Sequence, residues 1–400
     1  MMLAAAYAPS YSLGQRLLRE IGGIPFSGRG LNKIAVKIGT ELATERDART
    51  AAYFEQPLLG RRGTKPQTPI QLASVSIDGG RMQTRDEQRG PGVYHPHWRE
   101  NKNALFSRMS SEIFVDDPHP ELPGCFADRQ RMKQLLSGVV KNGAANVPRD
   151  AEPAEQTSAI GKQDPSDDHW RPERLFRTCL SSLHGSDDFG RTMEAEADAR
   201  GFYQAQKKAF VCDGLPYNWT IQQRHFQQFT PILDFVHAVE RMYEAARSVH
   251  VDVDCRWEAY LRWTRAAWRG EIEQVLPELR THQQQLGLPP ADCEQTDPRK
   301  ILADAIGYFE NNAARMKYPE YRQQGLPVTS AHMESLVKEI NTRVKGTEKF
   351  WTDGASGEAI LQIRAAVLGD DGRLASFLHK RPGSPFHPNV RRQTSLALAP

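Results

Sequence analysis

The chain has 400 residues, of which 39% are hydrophobic, and carries a formal net charge of +3 at neutral pH. This length allows two or three domains with a sizeable core, and no apolar run approaches the ~18 residues of a membrane-spanning helix. The opening MMLAAAYAPSYS lacks the cationic segment of a signal peptide, so we expect a soluble intracellular protein without a membrane partner.

The cysteines and the basic residues add two constraints. The five cysteines are odd in number, lie far apart and form no CxxC pair, which argues against a disulfide framework or a structural zinc site. The net charge is too small to imply a polyanionic partner by itself, but basic residues cluster in two places. These clusters are Lys338, Arg343, Lys345 and Lys349, and His379, Lys380, Arg381, Arg391 and Arg392. Such patches suit a phosphate backbone, although solvated surface is the default interpretation of each residue.

The first predicted elements are short helices within residues 10–65. SLGQRLLREIGG and LNKIAVKIGTELATERDARTAAYF both have helical periodicity, and the turn-rich IPFSGRG separates them. This order is compatible with a helix-turn-helix DNA-binding domain and also with other small helical bundles. The Gly- and Pro-containing linker GRRGTKPQTP follows, so we predict an N-terminal helical domain over residues 1–65.

A period-two pattern follows the linker and predicts strands. LASVSIDGGRMQTR alternates up to Asp78, where Gly79-Gly80 predicts a bulge or a tight turn, and HWRENKNALFSRMSS is a partner strand. Residues 140–170 are polar and nearly devoid of large aliphatic side chains, which predicts a flexible insertion. Beyond it, GRTMEAEADARGFYQAQ predicts a helix, KKAFVCDG a strand that ends in Asp213, and TPILDFV a buried strand before the helix FVHAVERMYEAARSVH.

The segments from residue 250 to about 325 are all helical, which predicts a helical domain inserted before one further helix, AHMESLVKEINTRV. Thr329 or Ser330 is the predicted N-cap of that helix, and Gly346 marks its end. One side of the helix presents Glu334, Lys338, Asn341 and Lys345, and the other presents Met333, Leu336, Val337, Ile340 and Val344. Taken alone, the polar side is typical of an exposed helix with i,i+4 ion pairs.

Three acidic residues are candidates for a metal site. Asp78 lies on a predicted strand before two glycines, and Asp213 ends a predicted strand; an α/β sheet presents polar side chains at its rim in such places. Glu334 lies on a helix. Such carboxylates suit two Mg²⁺ ions about 4 Å apart, because hard cations prefer oxygen ligands. The cations and the amide beside Glu334 would then face phosphates. For each aspartate taken alone, turn formation before a glycine is the stronger interpretation.

Seven ordered motifs carry a family resemblance. They are SIDGGRMQTR, HWRENK, DPHPELPGCF, FVCDGLPYNW, FTPILDFVHAVERMY, YRQQGLPVTSAHMESLVKEINTRVKGTEKFW and RPGSPF. Over residues 66 to about 390 the chain resembles a bacterial insertion-sequence transposase of the Kra type, within the Mutator-like DDE group. The resemblance implies an α/β, RNase H-like catalytic core with a helical insertion. Such an enzyme cuts transposon ends and joins them to target DNA with two Mg²⁺ or Mn²⁺ ions.

The resemblance also implies roles for particular residues. Asp78, Asp213 and Glu334 match the three acids that bind the metal ions and carry catalysis. The family has a Cys or Asp followed by a His, with two residues between them, after the second acid, and Asp234 and His237 fit that pattern. From the residues alone, this pair either hydrogen-bonds near the metal ions or forms a helix cap with a partly buried histidine.

DNA contacts are predicted from the basic residues and from three tryptophans. The predicted phosphate contacts are Arg81, Lys338, Asn341, Arg343, Lys345 and Lys349. The tryptophans of the helical insertion, Trp257, Trp263 and Trp268, most simply belong to its core. The alternative is that one of them stacks on a base flipped out at the transposon end.

These elements divide the chain into five predicted regions. They are the helical domain of residues 1–65, the core over 66–249, the helical insertion over 250–325, the rest of the core over 326–372, and a basic tail over 373–400. The N-terminal region is shorter than the resemblance implies, and a truncated or wrongly assigned start would explain this. We expect a cytoplasmic, nucleoid-associated transposase that acts as a homodimer on double-stranded DNA without a nucleotide cofactor. The alternatives are a metal-dependent nuclease of the same fold that does not join DNA, and a transposase-derived DNA-binding protein without catalysis.

Overall fold

The computed structural model describes residues 1–85, 97–132, 170–346 and 349–382. These residues form an α/β protein that divides into two compact units. Unit 1 comprises Met1–Arg108, Arg174–Gln206 and His332–Pro400, and unit 2 comprises Met109–Glu173 and Lys207–Ala331. The predicted flexible insertion, apart from Trp170, and the basic tail beyond residue 382, including Arg391 and Arg392, lie outside the described residues.

Unit 1 contains a sheet built around the first two strands. The predicted strand and its partner are confirmed as β1 (Leu72–Thr84) and β2 (Trp98–Met109), and β2 lies between β1 and β3 (Arg174–Ser182). A short strand late in the chain, β6 (Phe350–Trp351), pairs in parallel with the end of β1. Because β1 continues through Gly79 and Gly80, the predicted tight turn at these glycines is wrong. Ser74 and Ser76 are buried like their apolar neighbours, so both faces of β1 are covered.

The helices of unit 1 come from three parts of the chain. They are α1 (Met2–Tyr7), α2 (Tyr11–Glu20), α3 (Gly28–Glu55), α5 (Ser186–Ala199), α12 (Ala331–Val344), α13 (Gly354–Leu368) and α14 (Arg373–Lys380). Ser10 and Ser27 cap α2 and α3, accepting hydrogen bonds from Leu13 N and Gly30 N at 3.1 and 3.0 Å. The two helices predicted within residues 10–65 are therefore confirmed.

The N-terminal helices share a core with helices from the end of the chain. Leu18, Leu31 and Ile38 pack with Ile363 of α13 and Leu374 of α14 in one buried cluster. The helices α3 and α13 approach so closely that a Cβ atom on Gly39 would lie 2.1 Å from the carbonyl oxygen of Ala359. Residues of the N-terminal helices therefore share a hydrophobic core with α13 and α14.

Unit 2 combines two parallel strands with helices. The strands β4 (Lys207–Cys212) and β5 (Thr230–Leu233) are parallel, with Cys212 opposite Leu233, and α6 (Pro216–His225) connects them. The helices α4 (Gly124–Ala127) and α7 (Phe235–Val249) complete this part. The predicted helical segment is confirmed as α8 (Val253–Trp268), α9 (Ile272–Leu286), α10 (Pro298–Asn312) and α11 (Tyr318–Gln323). None of the helices in the described part of the chain is long and apolar enough to cross a membrane.

Candidate functional site

Two aspartates lie side by side in unit 2, each directly after a parallel strand. Asp213 follows β4 and Asp234 follows β5, and the backbone N–H of Asp234 donates to the carbonyl of Cys212 at 2.9 Å. In α/β sheets the carboxyl ends of parallel strands are the usual place for ligand-binding residues. The predicted strand end at Asp213 is therefore confirmed, and a second carboxylate lies next to it.

The carboxylate of Asp213 is held through one oxygen. Its Oδ1 atom accepts hydrogen bonds from Asn218 Nδ2 at 2.7 Å and from the backbone N–H of Leu215 at 3.1 Å. Among the described residues, none donates a hydrogen bond to Oδ2 of this half-buried side chain. A carboxylate that is oriented through one oxygen and open at the other has the form of a ligand for a hard divalent cation.

Asp234 has the opposite character, since all of its hydrogen-bonding capacity is used inside unit 2. It is 0% exposed, and it accepts from Val236 N, from Ser330 N and Oγ, and from His237 Nδ1. The His237 contact is the shortest of these, at 2.6 Å. Asp234 thus caps α7 and orients His237, and both of its oxygens already accept hydrogen bonds.

The charge of Asp234 controls the protonation of His237. Burial by itself would lower the pKa of His237, but the hydrogen bond and the negative charge of Asp234 outweigh it, and Glu240 and Asp213 add to the effect. The pKa of His237 is therefore raised well above its usual value of 6.5. For Asp234, burial opposes ionisation, but the contacts with His237 and Ser330 outweigh it and lower the pKa.

His237 is oriented so that one ring nitrogen is free to act. The Nδ1 atom is bound to Asp234, and Nε2 has no hydrogen-bond partner among the described residues. The side chain is 25% exposed. The capping interpretation drawn from the sequence is confirmed, because Asp234 is a helix cap and the histidine is partly buried and hydrogen-bonded to it. A role near metal ions stays a prediction. An oriented imidazolium of this kind can donate a hydrogen bond to an anionic group.

In unit 1, Asp78 lies inside a strand rather than at a strand end. Its half-buried carboxylate accepts a hydrogen bond from the backbone N–H of Gly79 at 2.6 Å. The side chain of Asn103 on β2 reaches the Asp78 carbonyl at 3.5 Å, and Ser181 on β3 donates its hydroxyl to Asn103 at 2.6 Å. The prediction that Asp78 lies on a strand is confirmed, and the strand has no break at the glycines.

Glu334 lies in the first turn of α12, on the polar side predicted for that helix. The apolar side is confirmed, since Met333, Leu336, Val337, Ile340 and Val344 all belong to one buried cluster. The Glu334 side chain is 14% exposed, and its Oε2 atom lies 3.7 Å from the ammonium of Lys338, which is 57% exposed. This contact is the i,i+4 ion pair of the simpler interpretation, and it partly neutralises one predicted DNA contact.

The cations of unit 1 that were predicted to contact phosphates fall into two groups. Some already bind groups of the protein, and others have no carboxylate partner among the described residues. Arg343 is 3% exposed, donates to the carbonyl of Ala5, and lies over the ring of Tyr11, so its prediction as a DNA contact is not supported. Lys349 donates to the carbonyl of Thr342 at 2.8 Å. By contrast, Arg81 and Lys345 have no carboxylate within ion-pair distance among the described residues.

Lys345 and Arg81 are close enough to affect each other. Burial and then the positive charge of Arg81 lower the pKa of Lys345. Two neighbouring cations without an acidic partner leave a local positive potential, which an anion would relieve. The pair is therefore the best phosphate-binding candidate in the predicted set. Asn341, on the same side of α12, is half-buried.

The tryptophans of unit 2 confirm the core interpretation for two of three positions. Trp263 and Trp268 are each 1% exposed. The indole of Trp268 donates to the carbonyl of His119 at 2.9 Å, and the guanidinium of Arg322 lies 4.0 Å from the centre of its ring. Trp257 is half-buried beneath Arg129. Base stacking by Trp263 or Trp268 would require unpacking of this core.

Several residues that orient the candidate acids were not found from the sequence. Asn218, Ser330 and Tyr308 all contact Asp213 or Asp234, yet each looks ordinary as a sequence letter. The partners of Tyr308 and Ser330 lie about 95 positions away in the chain, whereas Asn218 lies close to Asp213, in the motif FVCDGLPYNW. The sequence matches no model of a known protein family, and no curated protein is similar to it.

Proposed function

We propose that this chain is a DDE transposase with an RNase H-like core, and that Asp78, Asp213 and Glu334 are its catalytic acids. The observation that carries the proposal is the Asp213 carboxylate, which is fixed through one oxygen at the end of a parallel strand and is open at the other. The proposal takes Asp78 and Glu334 from unit 1 and Asp213 from unit 2. Its support comes from each unit separately and from the ordered motifs.

The order of the elements supports the RNase H-like part of the proposal. Three strands that are neighbours in one sheet come first along the chain, in unit 1. In unit 2 a strand, a helix and a parallel strand follow, and the helical segment comes after them. A core of this class has such an order, with its acids on the strands and on a late helix.

Two Mg²⁺ or Mn²⁺ ions, when bound, would stabilise the attacking and leaving oxygens of a phosphodiester. The part of the protein is to hold the carboxylates in place and to bind the DNA. His237 would donate from Nε2 to a phosphate oxygen, with Asp234 keeping it protonated. Arg81 and Lys345 would contact backbone phosphates.

The proposed reaction has two phosphoryl-transfer steps. Water attacks a phosphodiester at the transposon end, and the freed 3′-hydroxyl then attacks a phosphodiester of the target DNA. Each step exchanges one oxygen on phosphorus for another, so the reaction needs no covalent protein–DNA intermediate and no nucleotide cofactor. The oriented acids, rather than a protein nucleophile, are what this chemistry requires.

A strand-transfer assay tests the proposal. The purified protein is incubated with Mg²⁺, a target plasmid and a linear DNA that carries both borders of the element from which the chain is encoded. The proposal expects new 3′-hydroxyl ends at the borders and joined products with the plasmid. Cleavage without joining would favour a nuclease of the same fold, and DNA binding without cleavage would favour a non-catalytic DNA-binding protein.

A further inference from the structure

The main chain and the side chain of Asp213 are held by residues from two different helices of unit 2. Asn218 on α6 donates from Nδ2 to the carboxylate at 2.7 Å. Tyr308 on α10 donates its hydroxyl to the carbonyl oxygen of Asp213 at 2.9 Å. One contact sets the direction of the carboxylate, and the other sets the position of the peptide that bears it.

The two helices are themselves joined by a polar contact. Asn312 of α10 accepts from the indole N–H of Trp219 of α6 at 2.8 Å, and it donates to the carbonyl of Tyr308 at 2.8 Å. Asn312 is 2% exposed and Trp219 is 6% exposed. Buried polar groups that satisfy one another in this way hold a single arrangement of the helices.

The residue after Asp213 shows how closely Tyr308 approaches. Gly214 has a φ of +90°, and a Cβ atom there would lie 2.8 Å from the Tyr308 ring and 2.9 Å from Leu233. Only glycine fits this backbone conformation without strain. The ring of Tyr308 therefore lies directly against the turn that follows Asp213, so its hydroxyl has little freedom to leave the carbonyl.

We infer that Asn218 and Tyr308 are positioning residues for Asp213, and that the helical segment thereby fixes a metal-binding carboxylate. The inference rests on the proposed function, in which Asp213 binds a divalent cation. Partners that orient a ligand are commonly important for metal affinity, because the ligand is ordered before the ion arrives. The helical segment then has a role in the reaction as well as in packing.

The same unit provides matched controls. Tyr308 is half-buried and Tyr321 is buried, and the Tyr321 hydroxyl donates to the carbonyl of Pro231 in β5 at 3.4 Å. Tyr321→Phe and Tyr308→Phe each remove one hydroxyl that donates to a main-chain carbonyl. Only Tyr308 contacts Asp213, so a general effect of losing a buried hydroxyl would appear in both variants.

The experiment measures Mn²⁺ binding to the full chain by the electron paramagnetic resonance signal of free Mn²⁺. Wild type is compared with Tyr308→Phe, Asn218→Ala, Tyr321→Phe and Asp213→Ala, and thermal unfolding of each variant is recorded.

Losing an orienting partner should weaken Mn²⁺ binding about tenfold in Tyr308→Phe and Asn218→Ala. In the cleavage assay, the half-saturating Mn²⁺ concentration should rise by the same factor while cleavage at saturating Mn²⁺ stays close to wild type. Tyr321→Phe should bind like wild type, and Asp213→Ala should lose the site.

The outcomes separate the inference from the proposed function. If Asp213→Ala loses the site while Tyr308→Phe and Asn218→Ala bind Mn²⁺ like wild type, the positioning role is overturned and the proposed function stands. If Asp213→Ala binds Mn²⁺ like wild type, the metal role of Asp213 is overturned, and the inference fails with it. A Tyr308→Phe variant that only melts earlier, with unchanged Mn²⁺ binding, is structural, which also overturns the inference. Should Asn218→Ala fail to fold, Tyr308→Phe decides alone, because it keeps the packed ring.

Discussion

Asp213 and Asp234 occupy equivalent places at the ends of neighbouring parallel strands, yet their surroundings differ completely. Asp213 is half-buried and has one oxygen without a donor among the described residues. Asp234 is fully buried and accepts hydrogen bonds on both oxygens. The position at a strand end does not decide what an acid does. The hydrogen-bond partners differ: both oxygens of Asp234 are used within the structure, and Asp213 keeps the open oxygen on which its proposed role as a metal ligand rests.

The same contrast applies to the cations of unit 1. Arg343 is buried, and its guanidinium is used by the carbonyl of Ala5 and by the ring of Tyr11. Lys345 lies two residues later, pairs with no carboxylate among the described residues, and has its pKa lowered by burial and then by the like charge of Arg81. A basic residue in a cluster is therefore a candidate DNA contact only if its charge is not already used inside the protein.

The largest expected effect separates the two aspartates in catalysis. Asp213→Ala should abolish DNA cleavage while folding stays close to wild type, because a carboxylate at a strand end is not part of the core. The measurement is cleavage of end-containing DNA with Mg²⁺, alongside thermal unfolding.

In unit 1, Glu334→Ala should also abolish cleavage, and Glu339→Ala is its matched control, since Glu339 pairs with Arg177 at 3.2 Å. Residual cleavage within about tenfold of wild type would remove that acid from the catalytic set.

The second expected effect is on stability and belongs to Asp234. Asp234→Ala should lower the free energy of unfolding by about 3–5 kcal/mol, because it leaves His237 and Ser330 without their buried acceptor. Urea unfolding of Asp234→Ala and Asp213→Ala measures the difference. A loss of equal size in both variants would contradict the division of roles between the two aspartates.

The third effect depends on pH and concerns His237. Its pKa in the folded protein is raised above the usual 6.5, so its contribution to stability is fully present below about pH 6.5. That contribution is lost as the pH rises through the folded pKa. Wild type should therefore be more stable than His237→Gln by about 2 kcal/mol at pH 6, and the difference should shrink in alkaline solution. In an Asp234→Asn background the pH dependence should become much weaker, because Asp234 makes the largest contribution that raises the pKa of His237. An unchanged pH dependence there would assign the effect to another group.

Much of the secondary structure could be predicted because it is local. The apolar face of α12, the short strand before Asp213 and the helices within residues 250–325 follow from side-chain periodicity, which depends on near neighbours. The strand β1 was predicted, but its passage through Gly79 and Gly80 was not. Tertiary burial on both faces outweighs the weak strand propensity of glycine there.

The candidate site was predictable only in part. The motif FVCDGLPYNW contains Asp213, and the motif FTPILDFVHAVERMY contains Asp234 and His237. The spacing of Asp234 and His237 across a strand-to-helix junction suggested their hydrogen bond. The contacts of Tyr308 and Ser330 join residues about 95 positions apart in the chain, and no local pattern marks them. The burial of Arg343 depends likewise on α1, at the other end of the sequence.

The smallest expected effect tests the contrast between used and unused cations. If Arg81 and Lys345 contact phosphates, each releases counterions on binding, at about 0.9 per contact in the slope of log affinity against log salt. Arg81→Gln with Lys345→Gln should then lower the magnitude of that slope by about 1.8. The measurement is fluorescence anisotropy of a duplex across a salt series.

Lys338→Gln should change the slope less, because Glu334 already lies 3.7 Å from its ammonium. Arg81 lies on β1 and Lys345 follows the last residue of α12, so neither substitution replaces a residue within that helix. An unchanged slope in the double variant, with cleavage intact, would assign Arg81 and Lys345 to solvated surface and leave Glu334 as the only residue of α12 with a part in catalysis.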